Sequence, residues 1–168
     1  MIVSELMTAK VCCCQITDSL EHVAQLMWEA DVGALPVLAD FGRPVAMVTD
    51  RDVCMAAYLT GRPLRDIPVI TAASKHIFHV RPGDSIESVY AVMKMRRVRR
   101  LPVVGIGEHL DGIITVMDIV RHANELLGPT EPLHPRQIAD ALAEILRPHD
   151  PSRHPLAACD RPPRVASL

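Results

Sequence analysis

Two short motifs of identical spacing carry the side chains best suited to chemistry in this 168-residue chain. Thr49 is followed three residues later by Asp52, and Thr115 is followed in the same way by Asp118. A threonine at a helix N-cap lies beside the unpaired N–H groups of the first turn, where the helix dipole favours an anion. An aspartate three residues on can accept two hydrogen bonds from a ribose diol. Each motif therefore predicts a site for the phosphate and sugar of a nucleotide.

A purely structural interpretation of the same motif remains open. A threonine followed by an acidic residue three positions later is also a capping box, in which both side chains satisfy backbone N–H groups. The two roles are compatible, and the occurrence of the motif at two corresponding places favours ligand binding.

A basic segment precedes the second motif and has no counterpart before the first. Lys94, Arg96 and Arg97 are predicted to form a solvated helix end, where cations interact favourably with the helix dipole. Arg99 and Arg100 can hold a phosphate by charge-assisted hydrogen bonds. The corresponding residues of the first half are Gly33 and Ala34, and there Asp50 directly follows Thr49, although Arg51 offsets its charge. The second site is therefore expected to prefer a phosphorylated ligand, and the first to bind weakly or to take a less charged ligand.

Five cysteines raise the question of a metal or redox site. Cys12, Cys13 and Cys14 are consecutive, and the odd total favours a reduced intracellular protein over a disulfide framework. Successive strand residues point to opposite faces, so at most two of the three can reach one ion, and no C-x-x-C or H-x-x-x-H spacing is present. Thiols packed in a core are the favoured interpretation. A zinc- or redox-responsive protein remains an alternative.

Motifs of catalysis are missing from the sequence. It contains no G-x-S-x-G, H-E-x-x-H, Walker or G-x-G-x-x-G pattern. Asp52 and Asp118 resemble ribose ligands more than an acid–base pair. We expect a protein that is not an enzyme.

Composition narrows the class of partner. The chain is 49% hydrophobic and 23% charged, which suits a packed core, while its net charge of -2 and 3% aromatic residues argue against nucleic acid and anionic membrane as partners. The sequence contains no apolar run of the roughly 20 residues that span a bilayer. It also lacks a signal-peptide pattern at its start. A cytoplasmic location is expected.

An internal repeat organises the chain. Residues 10–58 align with residues 76–124 at a constant offset of 66, with 12 of 49 positions identical and no gap. Residues 69–71 resemble residues 6–8 at an offset of 63, which predicts three inserted residues before the second repeat. The same supersecondary unit is therefore built twice.

Each repeat is predicted to fold as β-α-β-β-α. The first strands are expected over 11–16 and 77–80, and the following helices over 19–31 and 85–97, with Asp18 and Asp84 as N-caps. Two strands follow in each repeat, at 36–38 and 45–48 and at 102–104 and 112–114, and a helix begins at each threonine of the motif. This pattern predicts an α/β (α+β) fold with helices on one face of a short sheet, in which the two units pack together.

Turn-forming residues predict the domain limits. Residues 61–68 form the linker, which gives a first repeat over 1–62 and a second over 63–127. Residues 128–147 are predicted as a linker and a short helix over 135–146. The proline-rich stretch 148–168 is predicted to be a disordered tail.

The doubled unit, its Leu-Pro-Val strands and its Ile-Thr-x-x-Asp step resemble the cystathionine-β-synthase (CBS) domain. The resemblance covers about residues 1–125, is most specific over 112–118, and is to free-standing bacterial tandem pairs, also called Bateman modules. It implies a regulatory module that binds an adenosine ligand, namely AMP, ADP, ATP, S-adenosylmethionine or NAD. It also implies a homodimer packed through the helices at 19–31 and 85–97. An unidentified effector protein is a further possible partner.

The resemblance also implies which residues line the two sites. Thr49, Asp52, Thr115, Asp118, Arg99 and Arg100 bind phosphate and ribose, and Gly112 lets the ligand approach closely where the first repeat has Ala46. The base is expected among Cys12, Cys13 and Val37 in the first site, and among Phe78, His79, Val80 and Val103 in the second. Most of these residues suit an ordinary core equally well. A ligand-free dimerisation scaffold that recruits a partner is the alternative function.

Overall fold

A computed structural model describes residues 1–125 and, beyond them, Ala143. The first unit comprises α1 (Val3–Leu6), β1 (Cys14–Gln15), α2 (Leu20–Glu29), β2 (Ala34–Leu38), β3 (Pro44–Thr49) and α3 (Asp50–Thr60). The second comprises α4 (Val69–Ala72), α5 (Ile86–Arg96), β4 (Arg100–Val104), β5 (Leu110–Thr115) and α6 (Val116–Glu125). The helix predicted over 135–146 and the predicted tail lie outside the described residues, apart from Ala143. None of the described helices is long and apolar enough to cross a membrane.

The predicted α/β class is confirmed, with one short sheet in each unit. In the first unit β1 runs parallel to β2, and β2 pairs antiparallel with β3. In the second unit β4 pairs antiparallel with β5, and a single parallel bridge from Val80 to Val103 takes the place of β1. Of the strand predicted over 77–80 only Val80 pairs, so the prediction is wrong for residues 77–79. A turn that begins at Arg81, with Pro82 unable to donate a ladder hydrogen bond, prevents the pairing from extending past Val80.

The helices α2 and α5 are each capped by a serine rather than by the predicted aspartate. Ser19 caps α2 and accepts a hydrogen bond from the His22 N–H, and Ser85 caps α5 in the same way with Ser88. The predicted caps, Asp18 and Asp84, instead each close the turn just before the helix. The Asp18 carboxylate accepts from the Gln15 N–H at 2.7 Å.

The opening helix of each unit packs into the hydrophobic core of the other unit. Val3 of α1 is buried with Val80, Ile86 and Val89 of the second unit, and Val69 of α4 is buried with Leu20 of the first. Backbone hydrogen bonds join the same segments. The Val3 N–H donates to the Asp84 carbonyl, and the Val69 N–H donates to the Asp18 carbonyl, both at 2.9 Å.

This exchange continues the 66-residue offset back to the start of the chain. Ile2 bridges Ser85, while Pro68 bridges Ser19, and both pairs are related by 66 residues. The predicted offset of 63 with a three-residue insertion is therefore wrong. The resemblance of residues 6–8 to residues 69–71 is one of side-chain type and does not follow the backbone register.

We predict that Val69→Ala, although it lies just after the predicted linker, lowers the free energy of unfolding by about 2 kcal/mol, because it removes two fully buried methyl groups from the first core. Denaturant unfolding of the whole chain measures the change. Ile70→Ala is the matched control, because the adjacent Ile70 side chain is 46% exposed. This variant should change the free energy of unfolding by less than about 0.5 kcal/mol. Equal effects of the two variants would contradict the exchanged packing.

Candidate functional site

Both Thr-x-x-Asp motifs form the same hydrogen-bonded cap at the start of a helix. In the second unit, Asp118 Oδ2 accepts from the Thr115 N–H at 2.8 Å and from the Thr115 hydroxyl at 2.7 Å, while the Asp118 N–H donates to Thr115 Oγ1 at 3.2 Å. The first unit repeats this arrangement with Thr49 and Asp52, at 2.9, 2.7 and 3.2 Å. Each carboxylate thus commits one oxygen to its cap. The other oxygen, Oδ1, makes at most a loose contact, at 3.9 Å from Arg121 Nη1 in the case of Asp118.

Arg100 is brought directly beside the second cap. It pairs with Thr115 across the antiparallel ladder of β4 and β5. Directly opposed residues of such a ladder carry their side chains on the same face, with Cβ atoms about 5 Å apart. At the corresponding place in the first unit, the partner of Thr49 is Ala34, which offers no charge.

The Arg100 guanidinium is half-buried and unmatched. Among the described residues no hydrogen bond or direct ion pair of its side chain occurs, and burial lowers its pKa from the ordinary value. Asp50 of the first unit opposes this shift and Arg99 reinforces it. Asp50 therefore acts across the two units on the cation beside the second cap. An anion placed between Arg100 and the start of α6 would supply the direct ion pair that Asp50 does not make with it.

Arg99 takes part in the site mainly through its backbone. Its carbonyl accepts the Val116 N–H at 2.9 Å and so ties β4 to the first turn of α6, while its side chain is exposed. Gly33 and Asp50 make the corresponding bond in the first unit, at 3.2 Å.

Several residues predicted to surround the base are buried in the hydrophobic cores. Val37 is buried in the first core, and Val80 and Val103 are buried in the second. Because side chains alternate along β4, Val103 points to the face opposite Arg100. Cys12 packs against the first core and Cys13 is half-buried.

Phe78 and His79 are placed differently from these core residues. Phe78 is half-buried at the rim of the second core, where the Arg96 guanidinium lies 4.6 Å from its ring centroid. The side chain of His79 is exposed.

Gly112 is approached closely by the chain itself. A Cβ at this position would lie 2.9 Å from Met7 Sδ and 2.9 Å from the Thr8 carbonyl oxygen. Thr8 pairs with Ile113 of β5, as Ser74 does with Met47 of β3. Met7 and Thr8 are site-bordering residues that the sequence analysis missed. Carrying the 66-residue offset back through residues 3 and 69 would have indicated them.

Comparison with known proteins shows the family of the chain. The model of the CBS domain matches residues 3–58 and again residues 64–125. The chain belongs to the CBS domain family. Hypoxic response protein 1 of Mycobacterium tuberculosis is 38% identical over 122 residues, which is 72% of this chain and 84% of that protein.

Solved structures of CBS proteins match the pair as a whole. The crystal structure of hypoxic response protein I with two coordinated zinc ions has a TM-score of 0.67 at 34% identity and covers 73% of this chain and 98% of that one. The crystal structure of CBSX2 in complex with AMP has a TM-score of 0.64 at 24% identity, over 74% and 97% of the two chains, and supports the fold alone.

The cysteines of this CBS pair are free thiols in the part of the chain that the structure describes. Cys14 is 1% exposed and donates to the Pro36 carbonyl at 3.7 Å. Burial, reinforced by Asp18 and Cys13, raises the pKa of Cys14 to about 12, and burial likewise raises the pKa of Cys13. Within residues 1–125, no group of three or more histidine, cysteine, aspartate or glutamate side chains is placed to hold a metal ion.

We predict that the CBS pair loses stability as the pH rises through the window between 9 and about 12, the ordinary and folded pKa values of Cys14. The folded state prefers the protonated thiol, so this contribution is fully present below pH 9 and is lost above it. Cys14→Ala removes it. By about pH 10.5 the wild type should have lost about 2 kcal/mol more than the variant, relative to neutral pH. Parallel stability–pH curves for the two proteins, measured by denaturant unfolding, would contradict the burial of this thiol.

Proposed function

We propose that this CBS pair is a regulatory module that binds an adenosine nucleotide without catalysing a reaction. The observation that carries the proposal is the half-buried, unmatched guanidinium of Arg100 beside the cap formed by Thr115 and Asp118. A phosphate there receives a charge-assisted, bidentate hydrogen bond and lies at the positive end of α6. Arg99 adds a second, exposed cation to the same edge.

The ribose is assigned to Asp118. Its Oδ2 is held by the cap, which fixes the orientation of the carboxylate, and Oδ1 remains as an acceptor for the sugar hydroxyls. The base is assigned to the apolar surface next to the same cap, with Phe78 and His79 as the side chains that contact it. Gly112, Val80 and Val103 support this wall from the sheet and the core rather than contacting the base through their side chains.

The first unit is assigned a weaker or less charged ligand. Thr49 and Asp52 reproduce the cap, but Ala34 stands where the second unit has Arg100, and Asp50 adds a negative charge. Cys12, Cys13 and Val37 line the corresponding side of this unit, with Val37 contributing from the core. A nucleoside or S-adenosylmethionine suits this site better than AMP, ADP, ATP or NAD.

The proposed module acts as a cytoplasmic homodimer that signals to an effector protein. Exposed apolar side chains on its helices, such as Trp28, Tyr58 and Met95, support association with a second copy. A ligand changes the output only if it binds one conformation better than another.

Thermal unfolding with a panel of ligands tests the proposal. We expect AMP at 100 times its dissociation constant to stabilise the protein by about 2.7 kcal/mol, a shift of a few degrees or more. Asp118→Asn should abolish this shift while keeping an oxygen for the cap, and Asp66→Asn, an exposed carboxylate whose side chain makes no described contact, should retain it. The panel includes zinc because the hypoxic response protein I crystal contains it. No shift with any adenosine compound would favour the ligand-free scaffold, and a shift with zinc alone would favour the cysteines.

Arg100 is the residue that should distinguish phosphorylated from unphosphorylated ligands. We predict that Arg100→Gln weakens AMP binding at least about tenfold and adenosine binding less than about threefold, because a charge-assisted bond to phosphate is lost. Isothermal titration calorimetry measures both affinities. If Asp52→Ala weakened AMP binding as much as Arg100→Gln does, the assignment of phosphate to the second unit would be wrong.

Asp50 should oppose phosphate binding. We predict that Asp50→Asn tightens AMP binding by about threefold and leaves adenosine binding unchanged, because it removes a negative charge that acts on Arg100. Asp40→Asn, at the opposite end of β3, is the matched control and should change neither affinity. Equal tightening by the two variants would show a general charge effect in place of the specific one.

A further inference from the structure

A groove opens on the helical side of the first unit, between α2 and α3. Its volume is about 370 Å³, within the range of about 300–1,000 Å³ that is typical of binding pockets. Apolar, aromatic and acidic side chains line it, namely Met27, Val32, Val53, Trp28, Asp31 and Asp50. Trp28 is the single tryptophan of the chain and is 87% exposed. The groove therefore presents an open indole surface together with two negative charges.

The two carboxylates of the groove are not matched by a cation within residues 1–125. Asp31 follows the C-cap of α2, where the partial negative charge of the last carbonyls disfavours a carboxylate. Its side chain makes no hydrogen bond or ion pair in that part of the chain. Asp50 Oδ1 accepts the Arg51 N–H at 2.7 Å, but Asp50 makes no direct ion pair there either. Both side chains are exposed, so the groove favours a cationic occupant.

The end of the chain carries a segment with the complementary chemistry. Residues 161–164 read Arg-Pro-Pro-Arg and contain the only two consecutive prolines of the sequence. Consecutive prolines favour the polyproline II helix, which has three residues per turn. Arg161 and Arg164 then lie on one face of that helix, about 9 Å apart. Aromatic-lined grooves recognise proline-rich segments of this kind, and carboxylates pair with the flanking arginines.

The segment can reach the groove from its own chain. Arg100 is opposite Thr115 at the start of α6 and responds to the charge of Asp50, so α6 begins close to the groove. The helix ends at Glu125, ten residues or about 15 Å further on. About 36 residues separate Glu125 from Arg161, and a flexible chain of that length has an end-to-end distance of roughly 33 Å.

We propose that residues 161–164 dock in the groove of their own chain, with the prolines against Trp28 and the arginines beside Asp31 and Asp50. Pairing of the arginines with these carboxylates offsets the unfavourable position of Asp31 at the end of α2. An arginine over the indole adds a cation–π contact. The CBS domain match ends at residue 125, so the docked segment is an addition of this chain to the pair.

Docking of this segment would regulate the groove rather than the nucleotide site. Trp28 is also one of the side chains proposed to support association with a second copy. A docked segment covers it and therefore competes with that association. Docking itself requires neither a dimer nor a nucleotide, so its test is made without ligand.

Trp28 reports on its own coverage, because no other tryptophan contributes to the emission. A flexible connection gives the segment an effective concentration in the millimolar range, so even a weak contact is occupied most of the time. Arg161→Glu combined with Arg164→Glu should therefore at least about double the acrylamide quenching constant of Trp28 in the full chain. Arg147→Glu combined with Arg153→Glu makes the same change in net charge outside the segment and should quench like the wild type.

A substitution in the groove tests the other side of the contact. Asp31→Arg reverses one of the two charges, and the backbone accepts it, because Arg97 occupies the equivalent position with a φ of 54° against 51° for Asp31. In this background the Arg161→Glu and Arg164→Glu pair should change quenching less than half as much as it does in the wild type, since the paired charges are already lost. Unchanged coupling would contradict the assignment of the segment to this groove.

Three further results would overturn the proposal. Equal quenching of the wild type and the Arg161→Glu, Arg164→Glu variant shows that the segment does not cover Trp28. An equal effect of the control pair shows a general charge effect of the chain end. Protection that increases over an about hundredfold range of protein concentration shows that a second copy covers Trp28, since docking within one chain is independent of concentration.

Discussion

The exchange of the opening helices is the constraint on which the rest of the structure depends. A unit of about 50 residues has only a marginal core by itself. Here each unit completes its core with a valine from the segment that precedes the other. The same segments continue into Thr8 and Ser74, which pair with β5 and β3. Gly112 is required for this close approach, because a side chain there would overlap Met7 and Thr8. The two candidate sites are therefore held in one frame by packing.

The two units have the same backbone geometry at their caps and differ in the charges they carry there. The caps at Thr49 and Thr115 agree to within 0.1 Å in each hydrogen bond. Ala34 and Arg100 occupy equivalent ladder positions, and so do Asp31 and Arg97 at the helix ends. A cap of this kind alone stabilises a helix and selects no ligand. The proposed ligand preferences of the two sites therefore rest on the differences in charge between equivalent positions.

Much of the fold could be predicted because the hydrophobic pattern and the repeat report local structure directly. The last helix of each unit, α3 or α6, begins directly after its predicted threonine, and the β-hairpins lie where the Leu-Pro-Val pattern indicates. Prediction failed where long-range contacts determine the cap or the register of an element. Ser19 and Asp18 are both good caps, and only the turn at Gln15 determines which of them is used. The exchange of α1 and α4 leaves no periodicity in the sequence, so the offset of 63 matched side-chain types and missed the register.

The sequence indicated which polar side chains lie close together and did not indicate where the apolar ones lie, for a related reason. Thr115, Asp118 and Arg100 meet because two of them flank one turn and the third is opposite in a hairpin, all of which are local in sequence. Whether a valine lines a cleft or fills a core depends on which face of its strand the helices cover, and Val37, Val80 and Val103 lie on the covered face.

Asp50 connects the two units through electrostatics. It lines the groove of the first unit, and its charge opposes the lowering of the Arg100 pKa in the second unit. A cation bound beside Asp50 in the groove would partly neutralise it and so weaken its repulsion of a phosphate at Arg100. By linkage, a phosphate at Arg100 would then favour the binding of that cation by the same factor.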